Sequence, residues 1–193
     1  MTELNRAKFL PPFMHSIGEE EIEEVNDTLR SDWITRGPKT QLFESEFKNY
    51  IGCKHAIAVS SCTAALHLAL IANGIGAGDE VILSPYTFVA TSEVAVYSRT
   101  KPVFCDIDPL TFNIDPESIE QHITAKTKAI IPVHFAGHPC ELSRIMEIAR
   151  ENNLKVIEDA AHALPAKYKN RMIGTIGDAT CFSFYATKNL SNH

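Results

Sequence analysis

The chain predicts an α/β domain built on a mostly parallel sheet flanked by helices. Three observations carry that reading. Short apolar runs alternate with helical patterns from about residue 56 to residue 185. The runs lack the apolar/polar alternation of a half-solvated strand, as expected where helices cover both faces of a sheet. Finally, Ser61, Thr63, Phe88, Asp106, His134, Asp159 and His162 fall at the carboxyl ends of these runs, where parallel sheets bind ligands. Any α/β domain places polar loops there, so this last observation locates a site without naming its chemistry.

At 193 residues the chain is long enough for one full core. A formal net charge of -6 and the lack of a basic patch argue against nucleic acid and against an anionic membrane surface. No signal-like start and no span of about 18 uncharged apolar residues occur, which predicts a cytoplasmic protein. Cys53, Cys62, Cys105, Cys140 and Cys181 are odd in number, sit mostly in or beside apolar runs and include no CxxC. They read as reduced core residues, with no metal site expected.

Residues 1–18 lack periodicity and read as an N-terminal arm ahead of a domain at 19–193. Ile22, Val25 and Leu29 fall at helical spacing among acids, so 19–29 is expected as a surface helix with its carboxylates at the favourable N-terminal end. Gly37-Pro38 stops regular structure and leaves Trp33 in a loop, as either a hydrophobic anchor or a site wall. Phe43, Phe47 and Tyr50 predict a second helix ended by Gly52.

From here the pattern is βα. Residues 56–59 read as a strand, 60–63 as a hydroxyl-rich turn and 64–72 as a helix. Such a junction offers free backbone N–H groups at the positive end of a helix, a phosphate cradle that needs no lysine. Ser61 or Thr63 acting as an ordinary N-cap explains the same residues. Neither a Walker sequence nor GxGxxG is present. Residues 80–83 form the next expected strand, 84–88 a turn and 89–97 a helix, with Phe88 either capping the core or stacking on a ring. Strands are expected at 102–106, 129–133, 155–157 and 179–185, and helices at 117–123, after Pro116 at its first position, and at 141–152. Residues 168–173 look like a hairpin with Asn170-Arg171 at its turn.

The chemistry concentrates near the end. Lys188 lies just beyond the last apolar run, where an amine can lose its proton and attack a carbonyl. The run ending in Glu158-Asp159-Ala160-Ala161-His162 brings a carboxylate and an imidazole separated by small residues, so a flat ligand could approach the backbone. A pyridinium nitrogen needs a carboxylate partner and an aldehyde carbon needs an amine, the two demands of pyridoxal 5'-phosphate.

More specific are Asp32-Trp33-Ile34-Thr35-Arg36-Gly37-Pro38-Lys39, Val59-Ser60-Ser61-Cys62-Thr63-Ala64-Ala65-Leu66, Gly78-Asp79-Glu80-Val81-Ile82, Ser84-Pro85-Tyr86-Thr87-Phe88-Val89-Ala90-Thr91, Glu158-Asp159-Ala160-Ala161-His162-Ala163 and Ser183-Phe184-Tyr185-Ala186-Thr187-Lys188-Asn189. In this order they resemble the DegT/StrS family of pyridoxal-phosphate-dependent nucleotide-sugar aminotransferases. The resemblance covers nearly the whole chain and implies the large domain of a fold-type I aminotransferase. It implies that Lys188 holds the cofactor covalently and shuttles a proton, and that Asp159 pairs with the pyridine nitrogen. It further implies that Phe88 stacks on the ring and that His162 lies near the ring hydroxyl, where many relatives carry glutamine. Thr63, the adjoining N–H groups and Ser183 match the phosphate cup. Cys62 stands where relatives commonly have glycine, and its side chain could tighten that cup. Trp33, Tyr86 and His134 are expected to line the substrate pocket.

Relatives continue past this lysine into a small C-terminal domain, whereas the sequence stops at His193. The expectation is therefore an incomplete large domain, impaired in isolation and homodimeric at full length. The implied reaction moves an amino group from an amino acid, glutamate by resemblance, to a keto group of a nucleotide-linked deoxysugar. Two alternatives stand beside it: a sugar dehydratase relative, against which Lys188 argues, and a non-catalytic pairing or regulatory subunit with the same fold.

Overall fold

The computed structural model describes residues 16–189; most of the arm expected over 1–18 lies outside them. Helix α1 (Glu19–Arg30) opens with three glutamates, and the Glu21 carboxylate accepts from the Gly18 N–H at 2.6 Å. Both features satisfy the positive end of the helix. No α1 side chain is buried, in keeping with a surface helix. Helix α2 (Pro38–Ile51) starts on its proline and stops at Gly52, whose φ of 79° is left-handed and suits a residue without a Cβ. Phe43 of α2 packs edge-on against Phe184, and Phe47 against Phe182 and Phe184, with centroids 5.2–5.5 Å apart. These contacts fasten α2 to the segment that leads to Lys188.

Helix α3 (Cys62–Ala72) precedes strand β1 (Glu80–Leu83), helix α4 (Ala90–Tyr97) and strand β2 (Lys101–Phe104). Next come helix α5 (Pro116–His122), strand β3 (Thr127–Ile131), helix α6 (Leu142–Glu151) and strand β4 (Lys155–Asp159). A hairpin of β5 (Lys167–Tyr168) and β6 (Arg171–Met172) precedes β7 (Ala179–Cys181). The main sheet has the order β2-β1-β3-β4-β7, and every pairing is parallel.

The missing alternation in the sequence has a direct cause. Val81, Leu83, Ala129, Ile131 and Ile157 face a cluster with Leu66 and Leu70 of α3 and Val94 of α4. Their neighbours Ile82, Ile130 and Val156 face Ile119 of α5 and Ile145 and Ile148 of α6. Both faces of the sheet are therefore apolar, and each fully buried Ile or Leu contributes about 1.5–3 kcal/mol.

Three expectations are corrected. Residues 56–59 are not a strand: nothing among the described residues pairs with them, and the Ala58 N–H donates to Glu44 Oε1 at 2.8 Å. Strand β7 ends at Cys181, not at 185. Both shortfalls share one reason, since the two segments face each other across an open groove of about 1080 Å³ that no strand among the described residues fills. Apolar sequence alone does not make a strand without a neighbour to bond. Lastly, the hairpin turns at Lys169-Asn170, where φ values of 47° and 65° provide the left-handed pair that a tight two-residue turn requires.

Candidate active site

The carboxyl end of β4 is where the chemistry-bearing side chains meet. The Asp159 backbone is locked to the end of β3: its N–H donates to Pro132 O at 2.9 Å, and its carbonyl accepts from the His134 N–H at 3.1 Å. Asp159 is 6% exposed. Its Oδ2 accepts from the Thr91 hydroxyl at 2.8 Å and its Oδ1 from the Ala161 N–H at 3.2 Å. Burial pushes this carboxyl above its usual range, and these two donors oppose that push, aided by His134 and His162.

Lys188 is carried by a turn in which its N–H donates to Tyr185 O at 2.8 Å. The next residue anchors it, because the Asn189 amide donates to Leu164 O at 2.8 Å and to His162 O at 3.3 Å. The Lys188 amine thereby stands 2.7 Å from His162 Nε2. Burial, then the Lys188 charge, hold His162 below its ordinary value while Asp159 opposes them. Gly137 fixes the other side of His162: its φ is 83°, and a Cβ there would meet the His162 carbonyl oxygen at 2.8 Å.

Opposite lies the start of α3. Ser61 is its N-cap and accepts from the Ala64 N–H at 3.0 Å. The N–H groups of Cys62 and Thr63 at the first two helical positions have no intrahelical acceptor, so the cap and the anion cradle coexist. The Cys62 thiol turns away from them to donate to Cys181 O at 3.4 Å. Cysteine in place of glycine therefore ties α3 to β7 rather than filling the cradle. Burial pushes that thiol well above its ordinary value, which leaves it un-ionised. Ser183, two residues beyond Cys181, borders the same groove as Ser61 and Cys62.

Phe88 lies in the turn before α4 with its side chain 78% exposed, which resolves its two sequence readings against core capping. Tyr86 packs on Phe112 and Phe135, with centroids 5.4 and 4.9 Å away. His134 is not a pocket wall. It is 1% exposed, its Nε2 lies 2.9 Å from Glu158 Oε2, and its Nδ1 accepts from the Cys140 N–H. Trp33 sits in the exposed link between α1 and α2, and no hydrogen bond or ring contact among the described residues joins it to the cluster.

Two groups escaped the sequence reading. Thr87 and Thr91 are four apart around the start of α4, a spacing that puts two hydroxyls on one face behind a strand end. Glu158 alternates with Asp159 and so points to the opposite face. There its carboxylate gathers His134 Nε2, the Gly177 N–H and the Thr180 hydroxyl within 2.8–2.9 Å.

These groups fit pyridoxal phosphate on the donor set alone. An anchored amine, a buried carboxylate held by neutral donors, a neutral imidazole, an exposed aromatic ring and free N–H groups at a helix start supply each contact that such a molecule needs. No cluster of metal-ligating side chains occurs among the described residues, and none of their helices is long and apolar enough to cross a membrane.

Comparison with known proteins gives a consistent result. The model of the DegT/DnrJ/EryC1/StrS aminotransferase family matches residues 15–192. An uncharacterized protein of Methanocaldococcus jannaschii is 64% identical over 96% of this chain and 48% of its own length. The spore coat polysaccharide biosynthesis protein SpsC of Bacillus subtilis is 56% identical with the same coverage. Among solved structures, a Streptococcus pneumoniae protein provisionally assigned as a sugar aminotransferase, in its PLP form, superposes with a TM-score of 0.89 at 39% identity, covering 91% of this chain and 49% of that one. The chain thus spans about half the length of the curated relatives it matches.

Proposed function

The chain belongs to the DegT/DnrJ/EryC1/StrS aminotransferase family, and on that premise we propose that it forms the cofactor-binding part of a pyridoxal-phosphate-dependent aminotransferase acting on a sugar. The observation that carries the reading is the meeting of the Lys188 amine, the neutral His162 ring and the buried Asp159 carboxylate at one strand end. Relatives described as sugar aminotransferase and polysaccharide biosynthesis protein support the substrate class.

When bound, pyridoxal phosphate supplies an aldehyde that condenses with amines and a ring that takes up the electrons left when a proton departs from the neighbouring carbon. Lys188 would hold that group covalently and would move the proton at the donor's Cα. Asp159, when ionised, would favour a proton on the ring nitrogen through its negative charge. The Cys62 and Thr63 N–H groups, with Ser183, would receive the phosphate, and Phe88 would cover one face of the ring. The donor is an amino acid, with glutamate favoured by the family resemblance, and the acceptor is a keto group on a nucleotide-linked deoxysugar. By the same resemblance, the full-length protein would work as a homodimer, in the cytoplasm.

The test is a half-reaction in the protein at its native length: load with pyridoxal phosphate, add glutamate and measure 2-oxoglutarate release in one turnover. Stoichiometric release that disappears in Lys188→Ala supports the proposal. Release that persists in Lys188→Ala, or no release with any common amino acid, contradicts it.

A further inference from the structure

We propose that Thr91, backed by Thr87, is a positioning residue that holds the Asp159 carboxylate charged and aimed for the cofactor; this rests on the reading of Asp159 given above. The Thr91 side chain is fully buried, and its Oγ1 lies 2.8 Å from Asp159 Oδ2. An ionised carboxylate only accepts, so the single hydroxyl proton of Thr91 is committed to Asp159. Thr91 Oγ1 also lies 2.8 Å from Thr87 Oγ1. With its own proton committed, Thr91 can only accept there, so Thr87 donates. The result is a one-way chain, Thr87 to Thr91 to Asp159, in which each donor polarises the next.

Placement makes the chain a positioning device. Thr91 is in the first turn of α4, whose Val94 and Ala95 are fully buried in the core. The carboxylate is therefore braced from a helix, while the turn after its own strand supplies the Ala161 N–H at the longer distance of 3.2 Å. The charged and titratable groups around Asp159 are Cys62 of α3, His134 and Cys140 after β3, His162 after β4 and Cys181 of β7, with Lys188 reached through His162. Burial opposes the charge most strongly, and the Thr91 hydroxyl is the largest influence favouring it.

The experiment measures pyridoxal phosphate binding by absorbance between pH 5 and 9 in the protein at its native length. Parent, Thr91→Val, Thr91→Ser, Thr87→Val and Asp159→Asn are compared, so titration of the free cofactor cancels. Losing one hydrogen bond to a charged group should weaken binding by about tenfold at pH 7 in Thr91→Val and move the acid limb up by roughly one pH unit. Thr91→Ser, which keeps the hydroxyl, should stay within about twofold of the parent. Thr87→Val should move the limb the same way by less. A folded Thr91→Val with an unmoved acid limb overturns the proposal, as does a Thr91→Ser no better than Thr91→Val. If Thr91→Val fails to fold, an unmoved limb in Thr87→Val overturns it instead. Asp159→Asn separates the two levels. Tight, parent-like binding there defeats the role of Asp159 itself, whereas weakened binding there beside an unaffected Thr91→Val defeats only the role of Thr91.

Discussion

The Lys188 amine and the His162 ring share one hydrogen bond, Nζ to Nε2 at 2.7 Å. Two donors cannot share it; the depressed value of His162 favours the neutral ring, whose Nε2, when unprotonated, accepts from a protonated Lys188 amine. A neutral imidazole steers the amine without adding a second positive charge beside it.

The pH dependence of stability follows from that depression. A histidine that resists protonation in the folded state contributes stability above its unfolded value of about 6.5, and that contribution is lost as pH falls through the folded value. Between pH 7 and pH 5 the parent should therefore lose more in Tm than His162→Gln, which keeps an acceptor but does not titrate. Thermal scans at the two pH values check this, and equal losses would remove His162 from the account. Activity of His162→Gln should stay within about tenfold of the parent, since the hydrogen bond to Lys188 survives.

Asp159 has the opposite sign. Its raised carboxyl favours the folded state at low pH, and this advantage is lost as pH rises from the unfolded value of about 3.9 through the folded one. Asp159→Asn removes the buried charge, so it should melt higher than the parent at pH 7 and show a smaller gain at pH 4. Transamination should fall by roughly a hundredfold or more, because an amide carries no full charge to hold the ring proton. A variant that is neither more stable at pH 7 nor impaired would contradict both halves.

Glu158 should behave as a structural clamp. Glu158→Ala strands the His134 Nε2, the Gly177 N–H and the Thr180 hydroxyl, at a cost of about 3–5 kcal/mol. Gly177 belongs to the same clamp, since a Cβ there would meet Glu158 Oε1 and Val156 O at 2.9 Å each. Urea denaturation of Glu158→Ala and Gly177→Ala should show both destabilised; a loss below about 1 kcal/mol in both would show that the clamp is slack.

The open groove gives a prediction about association. Ile57, Leu68 and Tyr185 border it and are exposed, and the outer edge of β7 is unpaired among the described residues. Free strand edges beside apolar surface recruit other chains. The 193-residue chain expressed alone should elute as concentration-dependent oligomers by light scattering. Replacing Ile57 and Leu68 by lysine should shift it toward monomer, and a monodisperse monomer at high concentration before any substitution would contradict this.

The sheet was legible because buried parallel strands announce themselves as apolar runs between helices, and the carboxyl-end rule then located Asp159 and His162. Lys188 was legible because an amine follows the last run. Residues 56–59 and 182–185 misled because strand formation depends on a neighbour that local sequence does not specify. His134 misled for a related reason: a polar residue at a strand end can turn inward, and only the Glu158 carboxylate beneath it shows which way it went. Thr91 was hidden by its ordinariness, a threonine in a helix whose partner lies 68 residues away.

The central claim is that Lys188 is the residue that takes the cofactor. Incubating the native-length protein with pyridoxal phosphate, reducing with borohydride and mapping peptides by mass spectrometry tests it directly. The account predicts one stoichiometric pyridoxyl group on Lys188 Nζ, absent in Lys188→Ala. Stoichiometric labelling of another lysine, or none on Lys188 under saturating cofactor, would contradict it.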